Sequence, residues 1–456
     1  MQGVTLSIAL AASAVLFVLP VKYWLVVYMA TVAWYPSYLT VKIGTVDFSV
    51  TRIVILAIYA NLFLQTDLPK RFKFMWLDKL IITYFLCQIA AGVITTSSLI
   101  AFLENRAGAV FDMVLPYFAV RMIIRSRSEY LTLLKSILII AVPLTVVGFY
   151  QSSTGHNPVS FLRKYHAWNI THIAVRARHG FYRANVTFPE EIMFGLFFAM
   201  LGPVCAGILG YSKKYRTLWG MGLGLMGVGL FSSMSSGPML AAVLSIPFIA
   251  FYRWRRHWKP VAMIIIVMCG SIEIISNRHF YDVLGGFTFN PATAWYRSRL
   301  ISVALYEGGM SGHWLTGFGY FVDPGWGPEI DGRGHTDLVN HYLLILCRYG
   351  LIGLLPFLAV AVAVVKRLVY AYRLTVFVSD RWLIWCLAAA LFGLSGAMVS
   401  VSLFGQPRTI LYILLGFCGA MPVIVAAPNP MPRLRTDADL LCEHEPMLSF
   451  GGSAIR

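Results

Sequence analysis

Apolar runs close to 20 residues long recur along the whole chain, broken by charges or by Pro and Gly. A helix rising 1.5 Å per residue needs about that length to cross a hydrocarbon core of about 30 Å. The runs fall at about 4–19, 21–39, 51–66, 77–98, 107–124, 131–150, 189–210, 217–234, 237–252, 260–276, 339–365, 382–402 and 408–427. They predict an all-α, polytopic membrane bundle of about 12–14 transmembrane helices. An outer-membrane barrel would show short alternating strands instead. Composition points the same way: 58% of the 456 residues are hydrophobic and 12% charged, against roughly 25% charged in a soluble domain. With a mean hydropathy of +0.70, the chain could not hide its apolar surface in water. It is also too rich in Leu, Ile, Val and Phe for disorder. No basic residue precedes the first run, so it reads as a retained span rather than a cleaved signal.

The net charge of +17 would suggest nucleic acid in a soluble protein. In a membrane protein it marks cytoplasmic loops, and no nucleic-acid partner is expected. Lys70/Arg71/Lys73, Arg121/Arg125/Arg127, Lys213/Lys214/Arg216, Arg253/Arg255/Arg256/Lys259 and Lys366/Arg367/Arg373 occupy alternate loops. With these inside, the chain divides into six parts. N-terminal transmembrane helices (1–150) are followed by a basic external segment (151–188) and central transmembrane helices (189–276). A large external loop containing short helices (277–338), C-terminal transmembrane helices (339–427) and a polar, disordered cytoplasmic tail (428–456) complete it.

One segment breaks the charge rule. The external stretch 151–188 carries Arg163, Lys164, Arg176, Arg178 and Arg183, with His156, His166, His172 and His179, and no carboxylate. Such a surface calls for an anionic partner: lipid headgroups, a phosphate-bearing substrate, or the second external loop. That loop sets six carboxylates (Asp282, Glu307, Asp323, Glu329, Asp331, Asp337) against four arginines (Arg278, Arg297, Arg299, Arg333).

Three constellations have the residue types that chemistry needs. In Tyr182–Glu191 (YRANVTFPEE), Pro189 suits the first turn of a helix, and Glu190 and Glu191 lie near its positive end. Arg183 just outside is a fork for phosphate or pyrophosphate, or an arginine snorkelling to headgroups. In Ala294–Leu305 (AWYRSRLISVAL), Arg297 and Arg299 project from a short amphipathic helix. The turn Gly317-Phe318-Gly319 that follows permits close backbone approach. In Gly334–Leu343 (GHTDLVNHYL), His335 and Asp337 can form an acid–base pair, or Asp337 or Asn340 can cap the next helix. Asp112 and Glu273 lie within spans, where a charge is costly; Asp112 is expected to reach Arg106 or to join a proton relay. No metal or cofactor is implied, because the cysteines lack a zinc-like spacing and the His335/Asp337 pair lacks a third ligand.

Over about 180–355 these motifs resemble the O-antigen ligase and polymerase superfamily of bacterial inner-membrane glycan-assembly proteins. The likeness rests on Arg183 beside a TFP-like helix start, the Arg299-led helix, Gly317 and Gly319. It continues in Asn340-x-Tyr342-Leu343 and Gly350-Leu351-Ile352-Gly353. The family often places His before that Asn, where this chain has Val339, and an acid where it has Arg348. It also has Ser-x-Arg where this chain reads Ser235-Ser236-Gly237-Pro238. The resemblance implies a GT-C-like, metal-independent, inverting glycosyltransferase at the periplasmic face. Its donor is a glycan on undecaprenyl pyrophosphate, and its acceptor is another lipid-linked glycan or a lipid A core. An exopolysaccharide or O-antigen polymerase fits the departures better than a ligase. Membrane lipids, a chain-length regulator and a flippase are the other partners it implies. It assigns Arg183 and Arg299 to the donor pyrophosphate, with Arg297 and Arg178 in support. His335 or His341 is the acceptor base, with Asp337 or Glu190 as substitutes. A lipid-linked oligosaccharide flippase or other transporter is the alternative, although no internal repeat is evident.

Overall fold

The structure is a computed structural model that describes residues 2–165, 177–212, 214–275 and 291–427. His166, His172, Arg176, Arg278, Asp282 and the tail fall outside the described residues, as do the side chains of Arg163, Lys164 and Glu273.

The apolar runs fold as helices. In the first half these are α1 (Gln2–Val18), α2 (Trp24–Trp34), α3 (Val50–Gln65), α4 (Trp76–Thr95), α5 (Leu99–Ala109), α6 (Leu115–Ile123) and α7 (Arg127–Thr154). In the second they are α8 (Glu191–Cys205), α9 (Arg216–Ser232), α10 (Ser236–Ala250), α11 (Trp258–Ile275), α12 (Pro291–Leu305), α13 (Gly327–Ile330), α14 (His341–Leu374), α15 (Val378–Ala397) and α16 (Gln406–Ala426). Among the described residues, seven helical segments are long and apolar enough to cross a membrane: those over 76–95, 127–154, 191–210, 236–261, 341–374, 378–397 and 406–426. The outward face of α7 leaves Ile139, Val146 and Phe149 more than half exposed, which lipid accommodates and water does not. The chain is a multi-pass, all-α membrane protein.

Among the described residues, the strands form two small antiparallel ribbons. Thr40–Ile43 (β1) pairs with Val46–Ser49 (β2), and Ala177–Arg178 (β3) pairs with Phe181–Tyr182 (β4).

The bundle is built round α16, almost wholly buried and packed against α6 and α14. Helix α4 lies along α14, α9 along α7, and α10 along α15. Two buried ion pairs stitch the end that carries the basic loops. Arg121 holds Asp78 at 3.1 and 3.2 Å, with the Tyr117 hydroxyl donating to the same carboxylate at 2.6 Å. Arg127 holds Asp380 at 2.9 and 2.7 Å and donates to the Val425 carbonyl at 2.6 Å; Thr375 and Tyr211 donate to the carboxylate as well. A charge this deep is tolerable only when fully partnered.

The sequence places a single span at 107–124. Instead α5 and α6 run on from one another through a π turn, Val110–Val114. Hydropathy misses α5 because Glu104 and Arg106 dilute it. Those are the residues that the opposite end of the bundle uses.

Candidate functional site: an arginine-lined cavity

The cavity is made by a break in α14. At Gly350 the backbone adopts φ +60° and ψ −159°, so the helix stops and restarts within one residue. The carbonyl of Cys347, freed from the helix ladder, accepts the Phe318 amide at 2.7 Å. Across the same break, the Leu351 amide donates to Trp314 O at 2.8 Å and the Ile352 amide to Leu315 O at 3.2 Å. The turn seated there is Gly317-Phe318-Gly319. A Cβ on Gly317 would meet the Cys347 carbonyl at 2.5 Å, and one on Gly350 would meet the Leu315 carbonyl at 2.1 Å. Both positions need glycine for the close approach.

That docking brings Tyr320 over the bundle mouth, between two cations. Its ring centre lies 4.8 Å from the Arg106 guanidinium and 4.4 Å from that of Arg348. Arg106 comes from α5 and Arg348 from the first segment of α14. Arg408, from the first turn of α16, lines the same cavity, together with Gln88 and His341. No carboxylate is among its lining residues. Among the described residues, Arg106 is 3% exposed and bonded to neutral partners only, Gln88 Oε1 and Asn105 Oδ1, both at 2.6 Å; its Nε has none. Arg408 reaches Asp112 at 3.5 Å, and its Nε too is buried without a partner. Asp112 itself is gripped by Arg52 at 3.0 and 2.7 Å. The expected contact of Asp112 with Arg106 is therefore replaced by Arg52 and Arg408. The π turn aims Asp112 at α3 and α16 rather than back along its own helix.

Cations buried without counter-charge are unfavourable, and an anion would relieve them. Tyr320 registers this field. Burial alone would raise its phenol, but Arg348, Arg408 and Arg106, with the hydrogen bond from Asn105, bring it below its ordinary value. As it stands the cavity is narrow, ≈ 40 Å³, or room for about three waters.

His341 starts α14, and its Nδ1 accepts the Leu403 amide at 3.1 Å. A ring nitrogen that accepts an N–H carries no proton, so the ring proton sits on Nε2. The imidazole therefore offers the cavity a donor, not an acceptor. Its neighbour Asn340 caps the helix, Oδ1 accepting from Tyr342 N at 3.0 Å and Leu343 N at 3.1 Å.

The other residues singled out by sequence lie around the external loop. Arg183 is buried and pairs with Glu191 at 3.7 Å; Glu190 is the residue before α8. The loop Arg183–Phe188 is threaded into the bundle, with Asn185 N and Val186 N donating to Gln151 Oε1 and the Thr187 hydroxyl to Ala33 O. Arg299 pairs with Glu307. Burial and the nearby Arg178 push Arg297 down to about 10, and its Nε and Nη1 have no partner among the described residues. Arg178 donates to Met234 O at 3.3 Å. Tyr296 clamps the Asp337 backbone, accepting from its amide at 2.9 Å and donating to its carbonyl at 3.2 Å. Burial raises the Asp337 carboxyl despite His335, Arg333 and Arg297 nearby.

Thus Arg178 and Arg297 share one neighbourhood with Asp337 and His335, whereas Arg183 and Arg299 are each engaged by a glutamate. Sequence reasoning named Arg106 only as a partner for Asp112 and Arg348 only as a departure from the family pattern, and gave no site role to these two, to Arg408 or to Tyr320. Their signal was available: like the basic stretch 151–188, Arg106 and Arg408 sit at span ends on the side away from the basic loops, and Arg348 lies within the run 339–365, where a charge is costly. No protein-family model matches the chain, and no curated protein matches it.

Proposed function

We propose that this protein is a GT-C-like, metal-independent, inverting glycosyltransferase of the bacterial inner membrane. It polymerises or ligates glycan units from undecaprenyl pyrophosphate donors at the periplasmic face, and polymerisation is favoured. The supporting observation is the convergence of Arg106, Arg348 and Arg408 on a cavity with no carboxylate in its lining. Pyrophosphate is already a good leaving group. Transfer from it needs placement and neutralisation of the charge that develops on departure, which arginine forks supply. Arg297 and Arg178 present a second cationic patch on the external loop, suited to guiding the same headgroup inward. The cavity opens at the end of the bundle away from the basic loops, where a donor presented at the outer leaflet arrives.

The test is reconstitution. Protein in nanodiscs is mixed with lipid-pyrophosphate-linked repeat units from the host cells in the presence of EDTA. A ladder of growing glycan with released lipid pyrophosphate is expected; transfer only after lipid A core is added would mean ligation. Replacing Arg106, Arg348 or Arg408 by Ala should each lower transfer by about 10²–10³-fold with the fold intact. Normal rates in all three would sink the assignment. The second reading, export of the lipid-linked glycan, draws on one observation: a helix broken at Gly350 beside charges inside the bundle. It gains if folded protein moves labelled lipid across a vesicle membrane without transfer.

A further inference from the structure

A second and larger cavity, ≈ 600 Å³, adjoins the first and shares Arg408 with it. Its walls come from the β1–β2 ribbon, α3, α5, the π turn and the start of α16. Besides Arg52 and Arg408, they carry the carboxylates and hydroxyls that the arginine cavity lacks or holds few of. Hydroxyls of Ser37, Thr40, Thr45 and Thr409 line the larger cavity, with the amides of Asn105 and Gln406. Gln406 is 3% exposed; its Oε1 accepts the Ser37 hydroxyl at 3.2 Å, but its Nε2 is buried with no partner among the described residues. Phe321, about half exposed, adds an apolar ring face. A roomy pocket with many neutral donors and acceptors, one of them buried and unsatisfied, matches a polyhydroxylated ligand better than an ion or an acyl chain.

Three carboxylates reach this cavity. Asp112 is taken by Arg52 and Arg408, and Asp47 accepts the Thr40 hydroxyl at 3.5 Å. Glu104, half-buried on α5 two residues before Arg106, has no ion pair or hydrogen bond among the described residues.

We infer that this cavity holds the acceptor sugar and that Glu104 is the base for its attacking hydroxyl. The inference rests on the donor reading above and adds to it the acceptor side. The Glu104 carboxylate takes the hydroxyl proton as the acceptor oxygen bonds to the anomeric carbon of the donor. The bond from that carbon to the pyrophosphate oxygen breaks, and its electron pair leaves on the lipid pyrophosphate. Arg408, common to both cavities, lies where nucleophile and leaving group meet.

The test uses the full chain in nanodiscs, with two readouts. One is retention of ³²P-labelled undecaprenyl pyrophosphate; the other is glycan transfer. Glu104→Gln should keep lipid retention within about twofold while lowering transfer about 100-fold at saturating acceptor. Thr45→Trp, which fills the cavity, should raise the acceptor KM and leave retention alone. Glu104→Gln transferring within about threefold of wild type overturns the inference, as does loss of transfer confined to Asp337→Asn or His335→Ala. If wild type neither retains the lipid nor transfers glycan, the donor reading fails instead. The cavity is then decided by maleimide labelling of Thr45→Cys in the presence of the oligosaccharide released from host lipid carriers by mild acid. Slowed labelling supports a sugar site; unchanged labelling removes it.

Discussion

Tyr320 is the residue on which the arginine cavity can be read directly. Its phenol is buried, which opposes ionisation, yet three guanidinium groups pull it below the ordinary value of 10.0. Below the lowered value both folded and unfolded chains hold the proton, and ionisation contributes nothing. Between that value and about 10 the folded chain releases it and the unfolded chain keeps it, so stability rises with pH. The stability advantage of wild type over Tyr320→Phe should therefore grow across that window and shrink as pH falls through the folded value. Thermal unfolding of both proteins over a pH series measures it. Near-ultraviolet phenolate absorbance should lose its earliest step in the variant. An unchanged absorbance titration would mean that the arginines do not share one field. The cluster was not legible locally: Arg106, Arg348 and Arg408 lie far apart in the chain; Arg106 and Arg408 alone read as arginines at a span edge, and Arg348 as one charge within the run 339–365. What was legible was their side. Lys and Arg crowd the alternate loops, so an arginine at the other end of a span is a departure that carries information.

At the scale of elements, hydropathy finds the spans because burial in lipid demands unbroken apolar length. It is blind to what interrupts them. Gly350-Leu351-Ile352-Gly353 stands out in the sequence, but nothing within it shows that α14 breaks there. The break is stabilised by a partner more than 30 residues earlier, the Gly317 turn, whose backbone replaces the missing helical bonds. Gly350→Ala should cost about 3 kcal/mol or prevent folding, because it adds a positive-φ penalty to a 2.1 Å clash. It should also free the Gly317 turn, seen as faster proteolysis of 306–340. An equally stable, equally protected variant would show the break to be incidental. Asn340 is a milder case, and its capping role was one of two that the sequence left open. Asn340→Ala removes the acceptor for two amides and should cost about 1 kcal/mol in denaturant unfolding. Because His341 follows directly, that variant also tests whether fraying the first turn weakens transfer before it unfolds the protein.

The whole molecule separates strength from function by its two ends. Near the basic loops, two buried carboxylates are fully partnered: Asp78 by Arg121 and Tyr117, and Asp380 by Arg127, Tyr211 and Thr375, which join α7, α15 and the end of α16. Removing one partner leaves a buried charge alone, so Asp380→Ala should cost about 3–5 kcal/mol, with Arg127→Met restoring part of it. At the other end Arg106, Arg297 and Arg408 each keep a buried nitrogen without a partner among the described residues, and both cavities open there.

That polarity makes the orientation of the chain decisive. Thr45 is exposed on the β1–β2 turn beside the larger cavity, and Lys70 is exposed in a basic loop. Cys205, Cys347, Cys386 and Cys418 are buried, so with Cys269, Cys442 and the half-buried Cys87 replaced by Ser, an introduced cysteine dominates labelling. A membrane-impermeant maleimide should modify Thr45→Cys in intact cells and Lys70→Cys only after permeabilisation. The driving force is the bias of Lys and Arg toward the cytoplasmic side, accumulated over five loops. The arginine cavity then faces the outer compartment, as the proposed lipid-linked donor requires. The reverse pattern would put both cavities in the cytoplasm. The arginines would still need an anion there, but a donor delivered at the outer leaflet could not be it.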